Sequence, residues 1–157
     1  MKKIITMLLL AFCLLSFNIA NAQKNGGANG EWTISSISLE DNSMKDSLQN
    51  VPVFEDADIN CLLNSTWDLS SGQGFYKISQ ESDCTKGMRQ INWMRFSIKG
   101  SDFFQFYRTS AVHGVTADQH SIYICEISGA GKENFTLRYP ILFAGKTNAI
   151  LFNFTHK

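Results

Sequence analysis

Apolar and polar residues alternate with a period of two along most of the chain after residue 30. In EWTISSISL, which begins at Glu31, Trp32 and Ile34 alternate with polar residues, as expected for a strand with one buried face. From Thr66 onward, similar segments alternate with short turns, and together with the first they predict eight strands. These later segments are Thr66–Leu69, Phe75–Ser79, Arg89–Ile98, Phe103–Thr109, Ser121–Ser128, Phe135–Leu142 and Ala149–Thr155.

The short connections favour antiparallel hairpins, because parallel strands need long crossovers that this pattern does not contain. We therefore predict an all-β fold, an eight-stranded antiparallel up-and-down β-barrel, in which closure removes the exposed edges. A two-sheet sandwich is the alternative. In Arg89–Ile98 both faces are apolar, since Met94, Phe96 and Ile98 stand at the parity opposite to Trp93. The inward face is predicted to consist of Trp32, Ile34, Trp67, Leu69, Tyr76, Ile78, Ile91, Trp93, Phe104, Phe106, Phe135, Leu137, Ile150, Phe152 and Phe154.

The connection between the first two strands carries a different pattern. Glu40–Asn50 is polar and is predicted to be a loop. Glu55–Leu63 is predicted to contain one short helix before the second strand, with Asp56 or Asp58 as its cap. We expect the acidic side chains of this connection to be solvated. The helix would carry the apolar residues Ile59, Leu62 and Leu63.

The first 22 residues have the pattern of a secretory signal peptide. Met1-Lys2-Lys3 is positively charged, Ile4–Phe17 is apolar, and Ala20-Asn21-Ala22 is a cleavage pattern. The apolar run is shorter than the about 20 residues of a membrane span. We predict a signal peptide over residues 1–22, a flexible leader over 23–30 and one barrel domain over 31–157. The protein is thus expected to be secreted or periplasmic, without a transmembrane segment in the mature chain. Lipidation is not expected, because Phe12 precedes Cys13.

Composition narrows the possible partners. Without Lys2 and Lys3 the chain has 12 basic and 14 acidic side chains, so the composition does not suggest the clustered basic surface of nucleic-acid-binding proteins, and we expect no nucleic-acid partner. The chain contains 12 Phe, 4 Tyr and 3 Trp, and only Phe12 and Phe17 lie in the predicted signal. This aromatic content is typical of a strand-rich domain.

Three cysteines follow the predicted signal, and in an exported protein a pair of them is expected to form a disulfide. Three pairings are possible, and the sequence alone does not choose among them. We favour Cys61–Cys84, because both residues lie in turn-rich segments that flank strands. Cys125 lies within IYICEI, where a buried thiol packs as a small hydrophobic side chain.

No motif in the chain indicates catalysis or metal binding. His113, His120 and His156 are scattered and lack metal-ligand spacing. Gly145-Lys146-Thr147 matches the end of a phosphate-binding loop, but it lies between two strands and is predicted to be a hairpin turn. We therefore expect a protein that is not an enzyme and that has no metal or cofactor.

Several motifs resemble a known family. The GEW at Gly30–Trp32 resembles the G-x-W signature of lipocalins. INCLLNSTWDLSSGQGFYKI and DCTKGMRQINW, between Ile59 and Trp93, together with FFQFYR, the AGK turn at Ala144–Lys146 and the closing LFNFTHK, resemble secreted lipocalin-like proteins of Bacteroidetes-type bacteria. The resemblance covers nearly the whole mature chain. It implies an eight-stranded barrel, is consistent with a Cys61–Cys84 bridge, and implies a small apolar ligand.

One position departs from the family pattern. Lipocalins carry an arginine near the last strand that packs on the tryptophan of the first strand, and this chain ends in Thr155-His156-Lys157 instead.

Two functions are compatible with these observations. The first is an exported binding protein that holds a small hydrophobic ligand in its barrel, with Trp93, Phe104, Phe106 and Tyr139 as candidate pocket residues. Trp32 and Trp67 are expected to be packing residues instead.

The alternative is a protein-interaction or inhibitor module, a solid barrel with functional loops. It predicts an exposed apolar patch in one of two segments, Glu40–Phe54 or Ala111–Asp118. Val51, Val53 and Phe54 motivate it, since they are unusually apolar for a loop.

Overall fold

The computed structural model describes residues 28–41, 52–70, 72–78, 84, 86–109, 121–143 and 145–157. The predicted signal peptide, residues 23–27 of the predicted leader, residues 42–51 and the segment Ala111–Asp118 lie outside the described residues. The strands are β1 (Glu31–Leu39), β2 (Pro52–Val53), β3 (Ala57–Asp58), β4 (Thr66–Asp68), β5 (Gln73–Ile78), β6 (Gly87–Ile98), β7 (Ser101–Arg108), β8 (Tyr123–Ser128), β9 (Asn134–Phe143) and β10 (Lys146–His156), and the helix is α1 (Ile59–Leu62).

Eight of these strands form a closed antiparallel barrel in the order β1-β10-β9-β8-β7-β6-β5-β4, with β4 paired to β1. Barrel strands that follow one another along the chain pair with each other, with β4 following β1 in the barrel. The pairing of β1 with β10 closes the ring. The predicted up-and-down barrel is confirmed, and the alternative sandwich is wrong. Closure is favoured because it gives each strand two hydrogen-bonded neighbours.

The alternation rule identified the inward face correctly. All fifteen residues predicted to face inward are buried. The ambiguity on β6 is resolved in favour of Trp93, which is 5% exposed, whereas Met94 and Ile98 at the other parity are 49% and 53% exposed. Trp93 pairs with the buried Phe106 of β7, so the register of the hairpin places both side chains inside.

One end of the barrel, which we call the base, is where β1 begins and β10 ends. Trp32 lies there, donates a hydrogen bond from Nε1 to the Ala28 carbonyl oxygen at 2.9 Å, and contacts the Phe135 ring edge-on at 4.7 Å. His156 contacts Trp32 edge-on at 4.9 Å, at the chain end where the lipocalin pattern has an arginine. Gly30 has a φ of 124°, and a Cβ there would lie 3.0 Å from His156 Nε2. The glycine and tryptophan of the GEW motif therefore both pack at the base of the barrel.

The segment between β1 and β4 differs from its prediction. The predicted short helix is a single turn, Ile59–Leu62, and the residues before it form a turn and the strand β3. Asp58 occupies the N-cap position but makes no side-chain capping hydrogen bond. The helix precedes the second barrel strand, but β2 and β3 come before it and pair as a small ribbon that was not predicted. Two-residue strands are too short to show any periodicity.

The predicted disulfide is confirmed. Cys61 and Cys84 form a disulfide with a Cα–Cα distance of 5.6 Å, and Cys125 is a buried free cysteine. The bridge joins α1 to the connection between β5 and β6. Gly145, with a φ of 76°, lies in the tight turn between β9 and β10, as predicted for the Gly145-Lys146-Thr147 segment. In the described part of the chain, no helix is long and apolar enough to cross a membrane.

Candidate functional site

The ribbon Pro52–Asp58, which we call the plug, places an aromatic ring inside the barrel. Phe54 is 2% exposed, and its ring is surrounded by rings from five barrel strands. The centroid distances are 6.4 Å to Trp67, 4.9 Å to Phe106, 5.2 Å to Tyr123, 5.2 Å to Tyr139 and 5.3 Å to Phe152. Most of these partners belong to the mouth half of the barrel, the half opposite the base. The plug therefore occupies the space where a hollow barrel would hold a ligand.

The turn at the tip of the plug has an unusual backbone. Phe54 and Glu55 have φ values of 56° and 50°, in the left-handed region that non-glycine residues rarely adopt. The Asp56 amide donates a hydrogen bond to the Val53 carbonyl oxygen at 3.2 Å, which closes the turn. Turns of this kind favour Asn-Gly or Asp-Gly at their centre. Holding Phe54 and Glu55 there costs about 1–2 kcal/mol for each residue, so contacts to the barrel must hold the plug in place.

A buried ionic cluster supplies the strongest of these contacts. The Asp56 carboxylate is completely buried, and its Oδ2 accepts hydrogen bonds from Tyr76 Oη at 2.6 Å and Arg89 Nε at 2.9 Å. Arg108 Nη1 lies 3.4 Å from Asp56 Oδ1. These two atoms are within ion-pair distance, but neither makes a hydrogen bond within the described residues. The cluster thus contains two guanidinium groups and one carboxylate in the interior of the barrel.

Two further barrel side chains bind the backbone of the plug. Tyr123 Oη donates to the Phe54 carbonyl oxygen at 2.7 Å, and Arg108 Nη2 donates to the Glu55 carbonyl oxygen at 3.1 Å. The Ser121 hydroxyl also donates to the Glu55 carboxylate at 2.7 Å. These donors come from β7, from the first residue of β8 and from the segment just before β8. The barrel wall therefore binds the plug by its ring, its carboxylate and its carbonyl groups.

The phenols of Tyr76 and Tyr123 are held in their neutral form. Burial, and then the charge of Asp56, raise the pKa of Tyr76 far above its ordinary value of 10.0. Burial, and then the charge of Glu55, raise the pKa of Tyr123 to about 12. Both side chains remain hydrogen-bond donors at neutral pH, which suits them to bind a carboxylate or a carbonyl oxygen.

The structure connects the four predicted pocket residues through ring contacts. Phe106 and Tyr139 contact the plug directly. Phe104 lies 5.7 Å from Phe106, and Trp93 stacks on Phe104 at 5.4 Å, further from the plug. Trp93 Nε1 is buried without a hydrogen-bond partner within the described residues. The four rings therefore form one continuous inner surface that begins at Phe54.

Sequence reasoning missed the polar half of the site. Asp56 was expected to be solvated or to cap a helix, which is wrong, because the inward-facing Arg89 and Arg108 draw its carboxylate into the barrel. Both arginines carried a usable signal. Arg89 has the inward parity of Ile91, and Arg108 has that of Phe106. A charged residue at an inward position requires a buried partner.

The expected exposure of Val53 and Phe54 is also wrong. Val53 and Phe54 are each 2% exposed, because the ribbon inserts them into the barrel instead of leaving them on its surface. Val51 and the segment Ala111–Asp118 lie outside the described residues. Exposed apolar side chains occur on the outer face of β6 and β8, at Met94 and Ile124.

Within the described residues, no group of three or more His, Cys, Asp or Glu side chains is arranged to hold a metal ion. No family model, curated protein or solved structure matches the chain. Any functional conclusion must therefore come from the site.

Proposed function

We propose that this protein is an exported, lipocalin-like binding protein that holds a small hydrophobic ligand in the mouth half of its barrel, in the space that the plug occupies in this structure. One observation carries the proposal: a single side chain, Phe54, fills a space surrounded by rings from five different strands. The same aromatic surface would bind an apolar molecule of similar size.

The construction of the plug supports its displacement. In its two strands Pro52 pairs with Asp58 and Val53 pairs with Ala57. These strands do not join the sheet of the barrel. The plug can therefore leave without breaking any strand pairing of the barrel. The left-handed backbone of Phe54 and Glu55 lowers the cost of opening, because that conformation is released when the plug leaves.

The alternative function, a protein-interaction or inhibitor module, has less support from the geometry. It was motivated by apolar side chains expected to be exposed before the helix, and Val53 and Phe54 are buried. The lumen is therefore the better candidate for the binding site.

The test is a fluorescence titration with 8-anilinonaphthalene-1-sulfonate, an aromatic molecule that carries one negative charge. We expect saturable binding of one probe per folded wild-type chain. In Phe54→Ala the probe should bind at least about tenfold more tightly, since the competing ring is gone. Phe96→Ala is the matched control, because Phe96 stacks on Phe103 at the outward parity of β6, away from the plug.

The wild-type titration decides the question even where Phe54→Ala folds poorly. The proposal is contradicted where the wild-type protein binds no probe at saturation while Phe54→Ala binds it. The plug would then be a permanent part of the core, and the variant would merely contain an artificial cavity.

A further inference from the structure

We infer that the ligand of this barrel is an amphiphile with a carboxylate head group, which binds Arg89, Arg108 and Tyr76 in place of the Asp56 carboxylate while its apolar tail takes the place of Phe54. The inference rests on the proposed function and specifies the chemical class of the ligand. It follows from the charges that the plug leaves behind when it moves.

With the plug inserted, the described residues of the cluster include one carboxylate and two guanidinium groups. When the plug leaves, Asp56 leaves with it, and both arginines lose that anion. With the plug inserted, only 2% of the Arg89 side chain and 13% of the Arg108 side chain are exposed, so Asp56 is the anion that both charges face in a largely dry site. A ligand that supplies an anion restores the balance, and a neutral or cationic ligand does not.

Asp56 Oδ2 accepts one hydrogen bond from a guanidinium and one from a phenol, and Oδ1 faces the second guanidinium. A guanidinium group beside each oxygen matches a carboxylate, because the planar guanidinium group is well suited to bind that anion. The neutral phenol of Tyr76 adds a donor that does not depend on pH near neutrality.

Phe54 and Asp56 are separated by one residue, so their Cα atoms lie at most about 7 Å apart. A single small molecule can therefore reach both the arginines and the aromatic surface around Phe54. Beyond Phe106 that aromatic surface continues through Phe104 to Trp93, in the direction that a linear tail would extend. The plug acts as an internal substitute for such a ligand, with one apolar group and one carboxylate.

The experiment compares three ligands that share a ten-carbon tail: decanoate, 1-decanol and decyltrimethylammonium. Each displaces 8-anilinonaphthalene-1-sulfonate from the wild-type protein at pH 7.5. We expect decanoate to compete at a concentration at least about tenfold lower than decanol, and decyltrimethylammonium to be the weakest. Arg108→Gln should weaken decanoate at least about tenfold and leave decanol within about twofold. Arg138→Gln is the matched control, because Arg138 pairs with Glu40 in a solvent-exposed ion pair, apart from the cluster.

The outcomes separate the two proposals. Equal competition by the three ligands, or stronger competition by the ammonium, overturns the carboxylate site and leaves the proposed binding function intact. Absence of saturable probe binding to the wild-type protein overturns both. The comparison of head groups needs no variant, so it remains decisive where Arg108→Gln does not fold.

Discussion

At the scale of single residues, Asp56 shows how strongly surroundings determine the role of an aspartate. Asp56 and Asp58 lie two positions apart on the plug, yet the Asp56 side chain is completely buried between two arginines and Asp58 is exposed at the start of α1. The two side chains are chemically identical. Substitution of each by asparagine therefore measures the environment of the carboxylate and not its chemistry.

We expect Asp56→Asn to lower the free energy of unfolding by about 3–5 kcal/mol, because it removes the buried negative charge that pairs with Arg89 and Arg108. Asp58→Asn should change it by less than about 0.5 kcal/mol, since the Asp58 side chain makes no capping hydrogen bond. Urea unfolding at pH 7 measures both values. Equal effects of the two substitutions would show that the buried ion pair does not stabilise the plug.

The residue scale also shows what the sequence contained about the site. Alternation on β6 and β7 placed Arg89 and Arg108 inside the barrel, together with Tyr76 on β5. Nothing in the linear pattern identified Asp56 as their partner, because it lies 33 residues before Arg89 in a segment without periodicity. The donors of the site were therefore predictable, and the acceptor was not.

At the scale of elements, the β6–β7 hairpin has a carboxylate that should make its stability depend on pH. Asp102 accepts hydrogen bonds from Ser97 and Arg95 across the hairpin. The hydrogen bond from Ser97, and then that from Arg95, lower the pKa of Asp102 below its ordinary value of 3.8. The ionised form is thus favoured in the folded protein.

A lowered pKa in the folded state stabilises the protein above the unfolded pKa, and this contribution disappears as the pH falls through the folded value. We expect the wild-type protein to lose stability below about pH 3.8, and Asp102→Asn to lose less over the same range. Thermal unfolding between pH 2 and pH 7 provides the measurement. Parallel curves for the two proteins would contradict the assigned role of Asp102.

The disulfide acts on a second element, the short helix that follows the plug. It fixes α1 to the β5–β6 connection across a sequence separation of 23 residues. We expect the double substitution of Cys61 and Cys84 by alanine to lower the free energy of unfolding by about 3 kcal/mol. The main reason is that the unfolded chain gains conformational entropy when the cross-link is removed. Chemical unfolding with and without reductant checks this value. Reductant should have no effect on the double variant, whose remaining described cysteine, Cys125, is buried.

At the scale of the whole molecule, the barrel and the plug differ in how they are held. The barrel is a continuous ring of paired strands, whereas the plug is held by a two-residue pairing and by side chains. Local opening of the plug is therefore expected to require less free energy than global unfolding. This difference is what the proposed binding function requires.

Native-state hydrogen exchange tests this expectation. The Asp56 amide, which bonds within the plug turn, should exchange through an opening of lower free energy than the amide of Phe152 in β10. Saturating decanoate should change the exchange at Asp56 and leave the exchange at Phe152 governed by global unfolding. Exchange of both amides at the same free energy would show that the plug opens only when the whole barrel unfolds.

The sequence by itself determined the barrel and the identity of its inner face. A period of two, repeated over eight segments with short turns, leaves few arrangements that bury one face and remove all edges. The tertiary structure alone decided what fills that barrel. The plug is too short for a periodic pattern, and its burial depends on rings and arginines from distant strands that come together only after the barrel closes. Local alternation therefore specifies the wall, and long-range contacts specify its contents.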